Sequence, residues 1–171
     1  MYAYTHTAPE VGDCEDMSSE EGSDIYEEGI LEEDILETLS MSSEEDIEGL
    51  VQGMNKYPSD PAIQKWACRR LWRIAHTGDD KKRVEIANLG GIEALLKAMK
   101  EHASEAKVQE YACGALLVPG IPVDEGLAGN ADNKALIKRE GGEEVVRRAM
   151  AAANATDNTK DYGLLLLSHL S

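Results

Sequence analysis

Residues 105–118 read EAKVQEYACGALLV. Val108, Tyr111, Ala112, Ala115 and Leu116 recur at i, i+3, i+4, i+7 and i+8, the spacing of one face of an α-helix. The same pattern stands 45 residues earlier, where Ile63, Trp66, Ala67, Cys68 and Leu71 match Val108, Tyr111, Ala112, Cys113 and Leu116. It returns 51 residues later, with Tyr162, Gly163 and Leu167 against Tyr111, Ala112 and Leu116. Met54, Met99 and Met150 keep the same two steps, Gln64 matches Gln109, Ile47 matches Ile92, and Ile86 matches Ile137. A period of this length, with two or three helices in each unit, indicates an all-α solenoid. Each unit hides its apolar stripe against the next.

Working outward from that stretch, the periodicity and the breakers predict the remaining elements. Helices are expected over 46–56, 61–76, 80–88, 91–101, 131–139, 142–153 and 158–170, with the quoted stretch as a helix of its own. Pro61 suits a first helical turn, where a missing N–H costs nothing. The third predicted helix ends in Asn88-Leu-Gly-Gly91, where Gly90 or Gly91 takes a left-handed backbone, and Glu140-Gly-Gly142 repeats the device. Pro119-Gly-Ile-Pro122 breaks the chain, and the loop to Asn130 absorbs the six extra residues of the longer period. The repeat domain therefore spans 46–171, in units of 46–78, 79–120 and 130–171.

The net charge of −16 is unevenly placed. Residues 1–46 hold 16 Asp and Glu and no Lys or Arg, while the other 17 acids are matched by all 17 bases. Residues 1–24 are polar and rich in Ser, Gly and acid, too poor in apolar groups to offset the entropy of ordering, so a disordered acidic arm is expected. Within residues 25–45, Ile25, Ile30, Leu31, Ile35, Leu36 and Leu39 form a helical stripe in an acidic segment. That segment is expected to dock as an N-terminal cap on the repeats; the alternative is a helix that orders on a partner. Ser42 or Ser43 can cap a helix starting near Glu44. Ser18, Ser42 and Ser43 each have an acid three residues on, which makes them candidate phosphorylation sites for an acidophilic kinase.

Such acidity repels nucleic acid and anionic membrane. Three cysteines, Cys14, Cys68 and Cys113, make no disulfide framework, and two of them occupy equivalent positions beside a buried face. A reducing compartment follows: the cytoplasm, with the nucleus as the alternative. The N-terminus has neither the basic nor the apolar region of a secretory signal, and no apolar run reaches the ~20 residues of a membrane span.

Two segments carry a family resemblance: IANLGGIEALLKAM at 86–99, followed by AKVQEYACGAL at 106–116. Together they resemble an armadillo repeat. In that family a short first helix ends at a glycine turn, a second begins with a Gly-Gly/Ala-Ile type sequence, and a third carries Val-Gln-Glu-x-Ala-x-x-Ala-Leu. Residues 137–167 look like a diverged second copy, and residues 47–74 like the second and third helices of a first. The resemblance covers roughly 125 of the 171 residues, and the armadillo region of leucine-rich-repeat kinases is a plausible relative. It implies a right-handed solenoid of about three repeats and a partner-binding face made of third helices. Nuclear-import receptors of the importin-alpha type carry a Trp-x-x-x-Asn ladder there. The equivalent pairs here are Trp66 and Arg70, Tyr111 and Ala115, and Tyr162 and Leu166, so capture of basic cargo is not expected.

No phosphate-binding glycine loop, nucleophile elbow or metal-ligand spacing is present, and His6, His76, His102 and His169 pair with no second ligand. A non-enzymatic scaffold without a cofactor is the expectation, with another protein as partner. Its binding residues are expected at Gln64, Arg69, Arg70, Arg73, Lys107 and Glu110, polar positions on third helices near the aromatic ones. One alternative is an adaptor regulated by its own acidic arm, masking that face. The last helix ends on an apolar stripe, so either the protein self-associates there or the chain is a fragment of a longer array.

Overall fold

In the computed structural model the described residues are Ile35, Glu37, 46–77, 80–117 and 131–171. The acidic arm, most of the 25–45 segment, the three candidate phosphorylation serines, Cys14 and the Pro119–Asn130 loop lie outside them. Ile35 is helical, only 2% exposed, and belongs to the core.

Among the described residues the secondary structure is helical throughout, with no strand. Eight helices follow in order: α1 (Ile47–Lys56), α2 (Pro61–Thr77), α3 (Asp80–Asn88), α4 (Gly91–Glu101), α5 (Ala106–Leu117), α6 (Ala131–Arg139), α7 (Gly142–Ala151) and α8 (Asp157–Leu170). Each falls within two residues of the span its periodicity predicts.

The ends have local causes. Asp46 caps α1, its carboxylate accepting from the Gly49 N–H at 2.8 Å. The cap expected at Ser42 or Ser43 lies outside the described residues. Asp60 caps α2, accepting from the Ala62 and Ile63 N–H groups around Pro61, and Thr156 caps α8 by accepting from Thr159 N–H at 3.0 Å. Gly90 and Gly141 take φ of 82° and 74°, the left-handed region that glycine enters without a Cβ penalty. The glycines that follow them solve a different problem. A Cβ on Gly91 or Gly142 would lie 2.8 Å from the carbonyl oxygen of Ile86 or Ile137.

The apolar faces decide the packing. In α1, Ile47, Leu50, Val51 and Met54 are buried at i, i+3, i+4 and i+7; in α4, Ile92, Leu95, Leu96 and Met99 repeat the pattern. The most extensive helix interfaces are α2 on α5 and α5 on α8, which sets these three in one rank. A second rank runs α1, α4, α7, and the pairs α1–α2, α4–α5 and α7–α8 also pack. The two short helices α3 and α6 each meet the helix that follows, α4 and α7. One continuous core results, holding Trp66, Leu71, Ile86, Leu95, Leu116, Ile137, Val146 and Leu166.

Polar devices tie the ranks together at matching register. The Gln64 amide donates to the carbonyls of Met54 and Tyr57, both at 2.9 Å. Forty-five residues on, Gln109 donates to the carbonyls of Met99 and His102 at 3.0 and 2.8 Å. Each glutamine closes the turn before its helix. The turns are then linked to one another: the His102 ring reaches the Pro58 carbonyl at 2.7 Å, and Asn154 donates to the Ser104 carbonyl at 2.6 Å.

Candidate functional site

The part of α2 that is not buried is a single stripe. Lys65, Arg69, Trp72, Arg73 and His76 fall at i, i+4, i+7, i+8 and i+11, and all are half-buried except Arg73, which is exposed. The opposite side, with Ile63, Trp66, Ala67 and Ile74, is core.

Trp72 organises this stripe. Its ring stacks on His76 one turn along, with centroids 5.9 Å apart and planes at 15°. It also stacks on Tyr111 of α5, at 6.2 Å and 27°. Gly114 of α5 makes the approach possible. A Cβ there would lie 2.8 Å from Trp72 Cδ1 and 3.3 Å from Tyr162 Cε2. A residue without a side chain therefore lets rings from α2, α5 and α8 gather around one point. Such ring pairs contribute ~0.5–1.5 kcal/mol beyond their area burial. Among the described residues the buried Trp72 indole N–H has no acceptor.

Cations flank the rings. Lys107 Nζ stands 5.6 Å from the centre of the Tyr111 ring, within cation–π reach. Arg73 is exposed beside Trp72, and Arg69 lies one turn before it. The one acid on the α5 side, Glu110, is withdrawn: 2% exposed, it accepts from Asn158 of α8 at 3.0 Å and from Lys107 at 3.4 Å.

Of the residues singled out from sequence, Arg69, Arg73 and Lys107 come together on this face. Gln64, Arg70 and Glu110 do not belong to it. Gln64 is 2% exposed and spends its amide on the α1–α2 turn. Arg70 is 4% exposed, its guanidinium 5.6 Å from the Trp66 ring. Glu110 bridges to α8 as described. The tryptophan assigned to the face also changes. Trp66 is fully buried, whereas Tyr111 and Tyr162 are half-buried, and the ring beside Tyr111 is Trp72. Trp66 and Trp72 sit six residues apart, which turns them about 120° from one another around the helix, enough to take Trp72 out of the core stripe. Periodicity hid Trp72 because its counterpart 45 residues on is Leu117, a buried aliphatic. The signal that could have exposed it is its place in the stripe with Lys65, Arg69 and Arg73.

Other chemistry is sparse. Cys68 and Cys113 are buried free thiols. Burial raises both pKa values, with the neighbouring Cys113 adding to the rise at Cys68, and Cys113 is pushed up to about 12. Such thiols are poor nucleophiles at neutral pH. Among the described residues no group of three or more His, Cys, Asp or Glu side chains is placed to hold a metal ion. An open groove of about 450 Å³ lies between the start of α1 and the length of α3, lined by Asp46, Glu48, Lys81, Val84, Glu85 and Asn88 among others, and no histidine or cysteine lines it among the described residues. No protein-family model, curated protein or solved structure matches the chain at a significant level.

Proposed function

We propose that this chain is a protein–protein interaction scaffold, non-catalytic, built as a right-handed armadillo-like α-solenoid of three layers. An acidic segment of another protein lies along its α2–α5 face. The observation that carries this reading is the Trp72–Tyr111 stack flanked by Arg69, Arg73 and Lys107. Flat rings supply contact area at low entropic cost, and cations set the sign of the partner. The layered reading is supported by the rank α2–α5–α8 and by glutamine and glycine devices that recur 45 and 51 residues apart. The free thiols Cys68 and Cys113 support a reducing compartment, the cytoplasm or the nucleus. No helix among the described residues is long and apolar enough to cross a membrane.

The arm supplies a second reading. Residues 1–24 carry seven acids and no Lys or Arg, so this arm is a competitor within the chain for its own cationic face. Phosphorylation at Ser18, Ser42 or Ser43 would add to that charge.

The test is a titration with two short fluorescein-labelled peptides, one of Asp, Glu and Tyr, the other of Lys and Tyr. The acidic peptide is expected to bind about tenfold tighter, and R73E/K107E to remove that difference. Equal affinity for both peptides rejects the reading. Removing residues 1–24 then separates the two versions, since self-masking requires tighter binding without the arm. A longer deletion would take Ile35 from the core and confuse the result.

A further inference from the structure

Thr77 is the last residue of α2. It is exposed, and its hydroxyl donates to the Arg73 carbonyl at 2.8 Å, one turn back. Gly78 follows it, and Asp79 and Asp80 stand two and three residues on. Among the described Ser and Thr residues, only Thr77 has an acid at the third following position, the spacing an acidophilic kinase reads. Its place in the fold suits a kinase substrate. A helix frays from its ends, so presenting Thr77 in an extended backbone opens only the final turn of α2.

Thr77 also continues the cationic stripe. Arg69, Arg73 and Thr77 stand at i, i+4 and i+8, so the threonine lies one turn beyond Arg73 on nearly the same line of the helix. Arg73 is exposed and forms no ion pair. A phosphate on Thr77 would carry ~−1.5 to −2 charges and three acceptor oxygens. At the C-terminal end of α2 the helix dipole opposes that charge, and so do the two aspartates that follow. The guanidinium one turn back offsets it. Its planar fork fits two phosphate oxygens at once.

We propose that Thr77 is a phosphorylation site for an acidophilic Ser/Thr kinase, and that its phosphate engages Arg73 and turns acidic segments away from the α2–α5 face. In the transfer, Thr77 Oγ1 bonds to the γ-phosphorus of ATP as the bond to the bridging oxygen breaks. ADP leaves, and the hydroxyl proton passes to the base of the kinase. The phosphate then does two things at the face. It neutralises the exposed cation beside Trp72, and it repels an incoming carboxylate. The effect on binding rests on the acidic-segment reading of this face; the modification itself does not.

Treatment of the full chain with a purified acidophilic Ser/Thr kinase and ATP tests it. Fragmentation mass spectrometry is expected to place a phosphate on Thr77, and D79A/D80A to lower the yield there about tenfold. Phosphorus NMR reads the contact with Arg73. The resonance missing from treated T77A belongs to this phosphate, and R73Q is expected to raise its second pKa, because a nearby guanidinium favours the doubly charged form. Binding is read with the labelled acidic peptide. The treated chain is expected to bind it about tenfold more weakly than treated T77A, which carries every other phosphate. Three results overturn the proposal: no phosphate at Thr77, a second pKa unmoved by R73Q, or equal peptide binding by the two treated chains while the untreated chain still prefers the acidic peptide. An untreated chain without that preference overturns the reading of the face and the binding effect with it. The mass and phosphorus data then decide the site separately.

Discussion

Gln64 and Gln109 carry the clearest lesson at the scale of single residues. Both are polar, both sit near the start of a long helix, and both match in register, features that suggest a binding surface. Their amides instead satisfy two turn carbonyls each, deep in the protein. An unmet buried carbonyl costs ~1–3 kcal/mol, so Gln109→Ala is expected to destabilise by at least that range, with Gln64→Ala close behind. Urea denaturation measures both, and a loss well under that range at both sites would show that water replaces the amide. Neither variant should alter the acidic-peptide preference, because neither side chain reaches the α2–α5 face. His169 yields a second prediction at this scale. Partial burial, with Lys134 adding to it, lowers its pKa below the ordinary 6.5. The folded state thus holds the proton less well than the unfolded one. Stability is unaffected above the ordinary histidine range and falls as pH drops through it. His169→Gln is expected to lessen the loss of thermal stability between pH 7.5 and pH 5, modestly, since His169 is largely solvated. An identical pH profile in the variant would show that His169 titrates as in the unfolded chain.

Helices packed in rank place two glycines at close approaches of different kinds. At Gly114 a Cβ would strike the Trp72 ring, which stacks on both His76 and Tyr111. At Gly163 a Cβ would strike the sulfur of Met150, the end of a flexible, half-buried side chain. Alanine gains ~1 kcal/mol over glycine within a helix, whereas overpacking costs ~1–3 kcal/mol where nothing can yield. Gly114→Ala is therefore expected to destabilise and Gly163→Ala to be near neutral, in paired denaturation curves. Gly114→Ala should also weaken acidic-peptide binding by displacing Trp72. The reverse order of stabilities would mean that the ring stack yields more readily than the methionine. Local patterning made both helices legible, since their apolar spacing follows the 3.6-residue period. It could not distinguish a glycine that ends a helix from one that admits a neighbouring ring.

Across the whole molecule, charge and hydrophobicity are segregated. The acids concentrate in the first 46 residues, the cations and rings meet on α2 and α5, and bare leucines mark one side of α8. The helical class, the helix limits and the glycine stops were readable from amino-acid order alone. They depend on spacing along one chain: period 3.6, prolines, and glycines free of a Cβ. What only the tertiary structure decided is which polar side chains turn inward and which aromatic meets which. Trp72 reaches Tyr111 because α2 lies against α5 and Gly114 leaves room between them, and Arg70 is buried against Trp66 on the other side of the same helix. Burial depends on the neighbours that packing supplies, and for Trp72 these are Tyr111 and Gly114, 39 and 42 residues away along the chain.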